Sequence, residues 1–333
     1  MDKNQNRTII TVLVVGGGGN NAVNHMYLQD IEDITFVVSD TDKHQLDELS
    51  VPNCLLLGVN TTLGQSACSD PEAARRAAEE SESEIAALFD DDTKMVIITT
   101  GMGGGTGTGA APVVARIARE KSLLTVGLVT IPFLFEGSLR NLKALSGIEE
   151  MRKYVDALFI INNEHLTEIY SDLNPSNAFK KVDETLTTIV RGILDPITPV
   201  DPRVCMDFND VYWTLRKSGN AIIISGSGSG ERRVTKALEN ALESPLLKDC
   251  DVFSPQKILM NCYYNPDSEF PLLMEEMNEI QEFMENFDHE VDVIWGLARD
   301  STLKDQVKVT ILASGFKAST HGPQTVVEEQ TIE

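Results

Sequence analysis

Apolar and polar positions along the chain alternate between two rhythms. Residues 8–15 (TIITVLVV) form an unbroken β-branched run that stops at Gly16, Gly17, Gly18 and Gly19. Such a run is expected of a strand buried on both faces of a parallel sheet. NNAVNHMYLQ follows with helical character, and the alternation then repeats: strand 34–39, helix 71–89, strand 94–100, helix 110–122, strand 123–133, helix 137–153 and strand 157–163. Strands alternating with helices predict a doubly wound α/β domain with parallel pairing, spanning 8–175.

The pattern changes at SNAFKKVDETLTTIVRGILDPI (176–197). Phe179, Val182, Leu186, Ile189, Val190, Ile193 and Leu194 keep the 3, 4, 3, 1, 3, 1 spacing of a helix with one buried stripe. Pro196, Pro199 and Pro202 break it, so 176–202 is expected to be a long central helix and the loop after it. Beyond lie helix 207–218, strand 221–225, helix 232–242, strand 257–264, helix 271–287 and strands 291–298 and 306–314. Residues 203–316 are therefore predicted to form a smaller α+β domain. Residues 317–333 are polar and without period, and are expected to be a disordered tail.

Composition narrows the function. With 51 acidic and 28 basic residues among 333, the formal charge is −23, which repels nucleic acid and a bare acidic membrane alike. Cys54, Cys68, Cys205, Cys250 and Cys262 are scattered, with no metal spacing, as suits a reducing cytoplasm. The N-terminal MDKNQNR lacks the apolar core of a signal peptide, and no apolar stretch is long enough to span a bilayer.

Two glycine clusters carry the chemistry. The first, Gly16–Gly19 with Asn20 and Asn21, ends a strand and opens a helix, where backbone N–H groups and the helix dipole favour a phosphate. Alone it also fits a structural turn, or a dinucleotide fingerprint with Asp40 or Asp42 as the acidic partner. The second cluster, Gly101-Met-Gly-Gly-Gly-Thr-Gly-Thr-Gly109, again joins an apolar strand to a helix. Two such turns in one sheet can converge on a single polyphosphate, with hydroxyl donors from Thr106 and Thr108. A dinucleotide dehydrogenase has no use for a second cradle, and the lysine of a P-loop is missing.

This second cluster resembles the G-G-G-T-G-[ST]-G signature of the tubulin/FtsZ superfamily, and the similarity extends from about residue 10 to Phe316. The resemblance implies a Rossmann-like GTPase domain joined by the long central helix to a smaller α+β domain. It implies GTP or GDP on Gly17, Gly18, Gly19, Asn20 and Asn21 and on Gly103, Gly104, Gly105, Thr106, Gly107, Thr108 and Gly109, with Mg²⁺ on the phosphates. Phe135-Glu136-Gly137 with Arg140 matches F-E-G-x-x-R, placing Glu136 at the ribose and Arg140 at the ribose or phosphate region. INNEHL (161–166) makes Asn163 the base-contacting asparagine; in AFKKVDE (178–184), Phe179 would stack on guanine and Asp183 would accept its N1–H and N2–H₂. Asp207-Phe-Asn-Asp210 matches N-x-D-F-x-D-V, whose two carboxylates act on the nucleotide of the next subunit. Head-to-tail protofilaments in the cytoplasm, a ring at the division site, other division proteins as partners, and membrane contact only through tethers follow from the same resemblance. Helix capping by Asp207 and an ordinary Glu136–Arg140 helix pair are equally compatible with the residues themselves.

Four departures stand out. The family's asparagine falls on Cys205; Asp40-Thr-Asp42 replaces N-T-D, adding a carboxylate. The γ-phosphate loop G-L-G-A-G-x-N-P reads Thr62-Leu-Gly-Gln-Ser-Ala-Cys-Ser-Asp70-Pro71, with fewer glycines and two extra residues. The residues after Phe316 hold no D-x-P-x-[FL]-L peptide of the kind that docks tethers. The altered γ-phosphate loop and Cys205 motivate an alternative, a GTP-binding, filament-forming or filament-regulating paralogue with little turnover.

Overall fold

The computed structural model describes residues 8–28, 31, 34–169, 174–197, 202–247, 253–287 and 290–316. Pro199, Cys250 and the tail expected at 317–333 lie outside these. Elements run β1 (Ile10–Val15), α1 (Gly17–Leu28), β2 (Thr35–Asp40), α2 (Lys43–Asp47), β3 (Cys54–Leu56), α3 (Pro71–Glu80), α4 (Glu82–Ala87), β4 (Met95–Gly101), α5 (Thr106–Glu120), β5 (Leu124–Ile131), α6 (Ser138–Arg152), β6 (Ala157–Asn162) and α7 (Asn163–Ile169). They continue with α8 (Pro175–Leu194), β7 (Pro202–Val204), α9 (Phe208–Leu215), β8 (Gly219–Gly228), α10 (Arg233–Leu242), β9 (Lys257–Tyr264), α11 (Asn278–Met284), β10 (Asp292–Arg299) and β11 (Val307–Ser314).

The strands form one sheet in the order β3-β2-β1-β4-β5-β6-β8-β11-β9-β10-β7. From β3 to β6 every pairing is parallel, as the continuous apolar runs predict. The two halves of the sheet meet at β6 and β8 through only Ala157↔Gly219 and Leu158↔Asn220. Beyond that seam β11 runs antiparallel to β8 and β9, and β10 runs parallel to β9. Helices α1 and α8 cover one face of the parallel part, and α3, α5 and α6 cover the other. A third cluster joins α10 and α11 to the second half.

Along α8 the stripe from Val182 to Leu194 is buried as its spacing predicts. Each such side chain contributes on the order of 1.5–3 kcal/mol. Phe179 breaks the stripe and stands 44% exposed.

The boundaries differ where tertiary contacts intervene. The predicted 71–89 helix breaks at Ser81, whose Oγ accepts Gly58 N–H at 2.9 Å. The 271–287 helix shortens because buried Arg233 takes the carbonyls of Phe270 and Pro271 and pairs with Glu276. The 221–225 strand extends to Gly228 because Gly226 and Gly228 leave room for the backbone of α10.

Candidate functional site

Strands β1 and β4 are neighbours, yet their crossovers depart in opposite directions, α1 toward β2 and α5 toward β5. Loops at the carboxyl ends of the strands diverge at such a switch point and leave a crevice for a ligand. Here both glycine clusters border it. A Cβ on Gly16 would lie 2.9 Å from Gly107 N, and one on Gly18 would lie 3.0 Å from Gly101 Cα. The two turns therefore pack backbone to backbone, which side chains at these positions would prevent. Helices α1 and α5 begin inside the clusters, at Gly17 and Thr106, earlier than sequence periodicity indicates. Gly17 and Gly18 at the start of α1, and Thr106 and Gly107 at the start of α5, line the same crevice, where the first N–H groups of a helix lack intrahelical partners and its dipole is positive.

A third loop closes one side. Ala67 N donates to Thr41 Oγ1 at 3.2 Å, and Thr41 Oγ1 lies 3.1 Å from Thr106 Oγ1. Lys143 Nζ donates to Ser69 O at 2.7 Å. Cys68 and Ser69 hold φ of 44° and 64°, a left-handed conformation that disfavours side chains. This loop keeps its turn despite having fewer glycines.

The resulting cleft encloses about 480 Å³. Gly17, Gly18 and Asn21 line it from the first turn, and Gly104, Gly105, Thr106 and Gly107 from the second. Glu136, Arg140, Asn163, Phe179 and Asp183 line its far end. Gly19, Asn20, Gly103, Thr108 and Gly109 stand behind this lining. Thr108 Oγ1 accepts Gly103 N–H at 2.8 Å, a bond that shapes the turn, and Gly109 lets α5 pack closely on Pro71. Asn20 is 3% exposed, and neither amide atom finds a partner among the described residues. Sequence reasoning did not single out Gln45, Met102, Thr130 or Pro132, and read Val182 only as part of the buried helix stripe, yet all five line the cleft. Thr130 and Pro132 were accessible to it, since they end a strand beside the switch point.

The far end has the features of a base pocket. Phe179 meets Phe133 edge-on at 5.2 Å, and Phe133 stacks on Phe135 at 5.1 Å, which fixes the exposed Phe179 ring. Asn163 is 4% exposed, and its Oδ1 has no partner among the described residues. Burial, reinforced by Glu184, pushes the Asp183 carboxyl up to about 6. Glu136 accepts Phe133 N–H at 2.9 Å and pairs with Arg140 at 3.2 Å, so this pair spans from a 3₁₀ turn to α6. Asp40 is buried at the phosphate end, and burial raises its carboxyl against the bonds from Asp42 and Thr41 N–H.

Asp207 and Asp210 are elsewhere. Asp207 accepts Asn209 N–H at 2.7 Å and Asp210 N–H at 3.2 Å, while Asp210 accepts Asp207 N–H at 2.8 Å. The two carboxylates thus cap α9, and Asp207 is exposed. The next residue, Phe208, has its ring 5.9 Å from Nζ of Lys94, which immediately precedes β4. The start of α9 therefore sits at the amino ends of the parallel strands, across the sheet from the cleft. Among the described residues no cluster of three acidic, His or Cys side chains could hold a metal, and no helix is long and apolar enough to cross a membrane.

Comparison with known proteins agrees with this layout. Residues 9–171 match the GTPase domain of the Tubulin/FtsZ family, and residues 219–317 match the C-terminal domain of the FtsZ family. The chain is 50% identical to the cell division protein FtsZ of Porphyromonas gingivalis over 313 residues, 94% of this chain and 68% of that one. It is 39% identical to FtsZ of Rickettsia conorii over 310 residues, 93% of this chain and 68% of that one. The empty FtsZ dimer of M. jannaschii superposes with a TM-score of 0.83 at 34% identity, covering 97% of this chain and 96% of that one. The chain belongs to the tubulin/FtsZ family of GTPases.

Proposed function

We propose that the chain is a self-assembling GTPase of the cell-division ring, which binds GTP in the cleft and hydrolyses it at the contact between consecutive subunits. The observation that carries this is the placement of the cleft and of Asp207 and Asp210 at opposite ends of the same parallel strands. A carboxylate on the far side of the sheet cannot reach its own nucleotide, but a head-to-tail neighbour can present it. Such a heterologous contact propagates as an open filament. Leu134, Phe135, Leu139 and Leu142, all exposed beside Glu136 and Arg140, give the cleft mouth the apolar rim of an interaction surface.

In this reading residues 8–175 form the GTP-binding domain, 176–202 supply the central helix, which adds Phe179 and Asp183 to the cleft, and its loop, and 203–316 present the opposite face. The phosphates rest on N–H groups of the two glycine turns, backed by the dipoles of α1 and α5. Gly19, Asn20, Gly103, Thr108 and Gly109 serve the same site from behind by fixing the turns. Guanine stacks on Phe179, Asp183 accepts its N1–H and N2–H₂, and the unpartnered Asn163 Oδ1 is available for a further donor. Adenine, with a bare acceptor at N1, would face Asp183 unpaired, so GTP is preferred over ATP. Ribose contacts fall to Glu136 and Arg140. Mg²⁺ would be held chiefly by the phosphates of GTP, since no metal-ligand cluster is found among the described residues, and would supply charge neutralisation there. Asp207 and Asp210 of the neighbouring subunit orient the attacking water and hold its proton.

The extensive identity to cell-division relatives weighs against the low-turnover paralogue. It also supports a place at the division site, with other division proteins and membrane tethers as partners. Light scattering with phosphate release, across a protein concentration series, tests the proposal. We expect GTP-dependent scattering and a specific activity that climbs above a threshold concentration; activity strictly proportional to protein, with no threshold, would exclude catalysis between subunits.

A further inference from the structure

We infer that Asp40 is itself a nucleotide-binding residue, and that its carboxyl group enters the complex protonated, so that guanine nucleotide binding takes up a proton at this side chain. The inference rests on the reading of the cleft as the GTP site.

Asp40 is the last residue of β2, 3% exposed, and lines the phosphate end between the two glycine turns. Its Oδ1 accepts Thr41 N–H at 2.7 Å and Asp42 N–H at 3.3 Å. Its Oδ2 lies 3.9 Å from where a Gly17 Cβ would stand, and the neighbouring Thr41 hydroxyl lies 3.1 Å from that of Thr106 at the start of α5. The carboxyl thus occupies the corner where α1 and α5 both begin, which is where the phosphates are to lie.

Few charges there can offset a second anion. Asp42 lines the same wall with a carboxylate of its own. On α2, Lys43 and His44 are exposed, and His44 leans toward Glu48 at 3.5 Å. The first ionisable residue of α1 is His25, which reaches Thr187 of α8; that of α5 is Arg116, paired with Glu82 and Glu120. Neither β1 nor β4 carries an ionisable residue. Cys54 on β3 is exposed, and the closing loop contributes Cys68 and Asp70. Lys143 from α6 is spent on Ser69 O. Among the described residues Arg140 is the one basic side chain in the lining, held by Glu136 on the opposite wall, which also carries Asp183.

Burial by itself raises the Asp40 carboxyl. A polyphosphate placed beside it adds a like charge and pushes the same way. Once protonated, the group gains an O–H that can donate to a phosphate oxygen while Oδ1 keeps its two backbone bonds. The sign follows from linkage: a carboxyl whose pKa is raised on binding favours the complex at low pH. Affinity then falls about tenfold per pH unit as pH rises between the free and bound values.

Titration calorimetry of GDP at pH 7, in two buffers of different ionisation enthalpy and with either Mg²⁺ or chelator, counts the protons. We expect the natural chain to take up about one more proton per GDP than Asp40→Asn, whose amide is the neutral isostere of the acid. Asp42→Asn should count as the natural chain does. The affinity advantage of Asp40→Asn should widen from pH 6 to pH 8. Asp183 and the nucleotide's own phosphate titrate nearby but cancel in the difference between the variants. Infrared difference spectra of the natural chain supply a check independent of any variant's folding: GDP should raise a protonated-carboxyl band. Equal proton counts, no such band, or an Asp40 effect that follows Mg²⁺ in place of protons would each overturn the inference while leaving the GTP site standing. Failure of the natural chain to bind GDP would remove the site and the inference together.

Discussion

The two ends of the parallel sheet are built on opposite principles. At the carboxyl ends, backbone meets backbone: Gly16 against Gly107 and Gly18 against Gly101, with no room for a methyl group at the contact. At the amino ends, Asp207 and Asp210 are a short capping pair at the start of α9, half in solvent and held by three backbone N–H bonds. One end is a rigid cradle for negative charge, the other a small and accessible pair of acids. In the proposed function, binding and bond-breaking are divided between these two ends of one molecule, and a second copy reunites them.

Substitutions at the two ends should therefore fail differently. The largest effect is expected from Gly107→Ala, whose methyl would collide with Gly101 O and Thr100 Oγ1. Overpacking of this kind costs about 1–3 kcal/mol or more, so thermal melting should drop by several degrees and GTP binding should be lost together. Asp210→Asn should do the reverse. The asparagine Oδ1 can still accept Asp207 N–H, and Asp207 remains the N-cap of α9, so melting, GTP binding and assembly should persist. Phosphate release should fall about 10²- to 10³-fold, in line with the loss of a general base. Undiminished turnover in that variant would break the division of labour between the ends.

Within the cleft the effects are smaller and more chemical. Asp183→Asn removes the charge from two hydrogen bonds worth roughly 1.5–3 kcal/mol each, and GTP affinity should weaken by about a hundredfold in a binding titration. The free Asp183 carboxyl titrates at about 6. Guanine requires it ionised, so the Asp183 contribution to affinity should be fully present above that pH and fall about tenfold per unit below it. Asp183→Asn should flatten this acid limb alone. Phe179→Ala should cost about tenfold in affinity, the value of one stacked base, with a smaller change in melting than a core truncation because the residue is 44% exposed.

The sequence reveals most where function demands the absence of side chains. The glycine clusters, and the uninterrupted apolar runs before them, locate the crevice and its parallel strands. It is less explicit where function is assembled from distant segments. Glu136, Asn163 and Asp183 are unremarkable in their own stretches, and only the return of α8 across the sheet gathers them; the family resemblance, not their spacing, pointed to them. Asn20 and Asn21 look alike in sequence, yet one is buried behind the turn and the other faces the cleft. The short elements α2, β3, α7 and β7 carry no full period and are legible only through their contacts. In β8, glycines that resemble a loop prove to be a strand, because α10 presses on them.

The central claim is that one subunit's carboxylates act on its neighbour's nucleotide, and mixing tests it most directly. Asp210→Asn subunits retain GTP but lack the working acid; Asp183→Asn subunits retain the acid but bind GTP poorly. At a GTP concentration that fills only the former, each variant alone should release little phosphate. Their mixture should recover substantial activity, because an intact Asp210 then faces the GTP of its Asp210→Asn neighbour. A mixture no more active than the sum of its parts, despite co-assembly by sedimentation, would contradict catalysis across the interface.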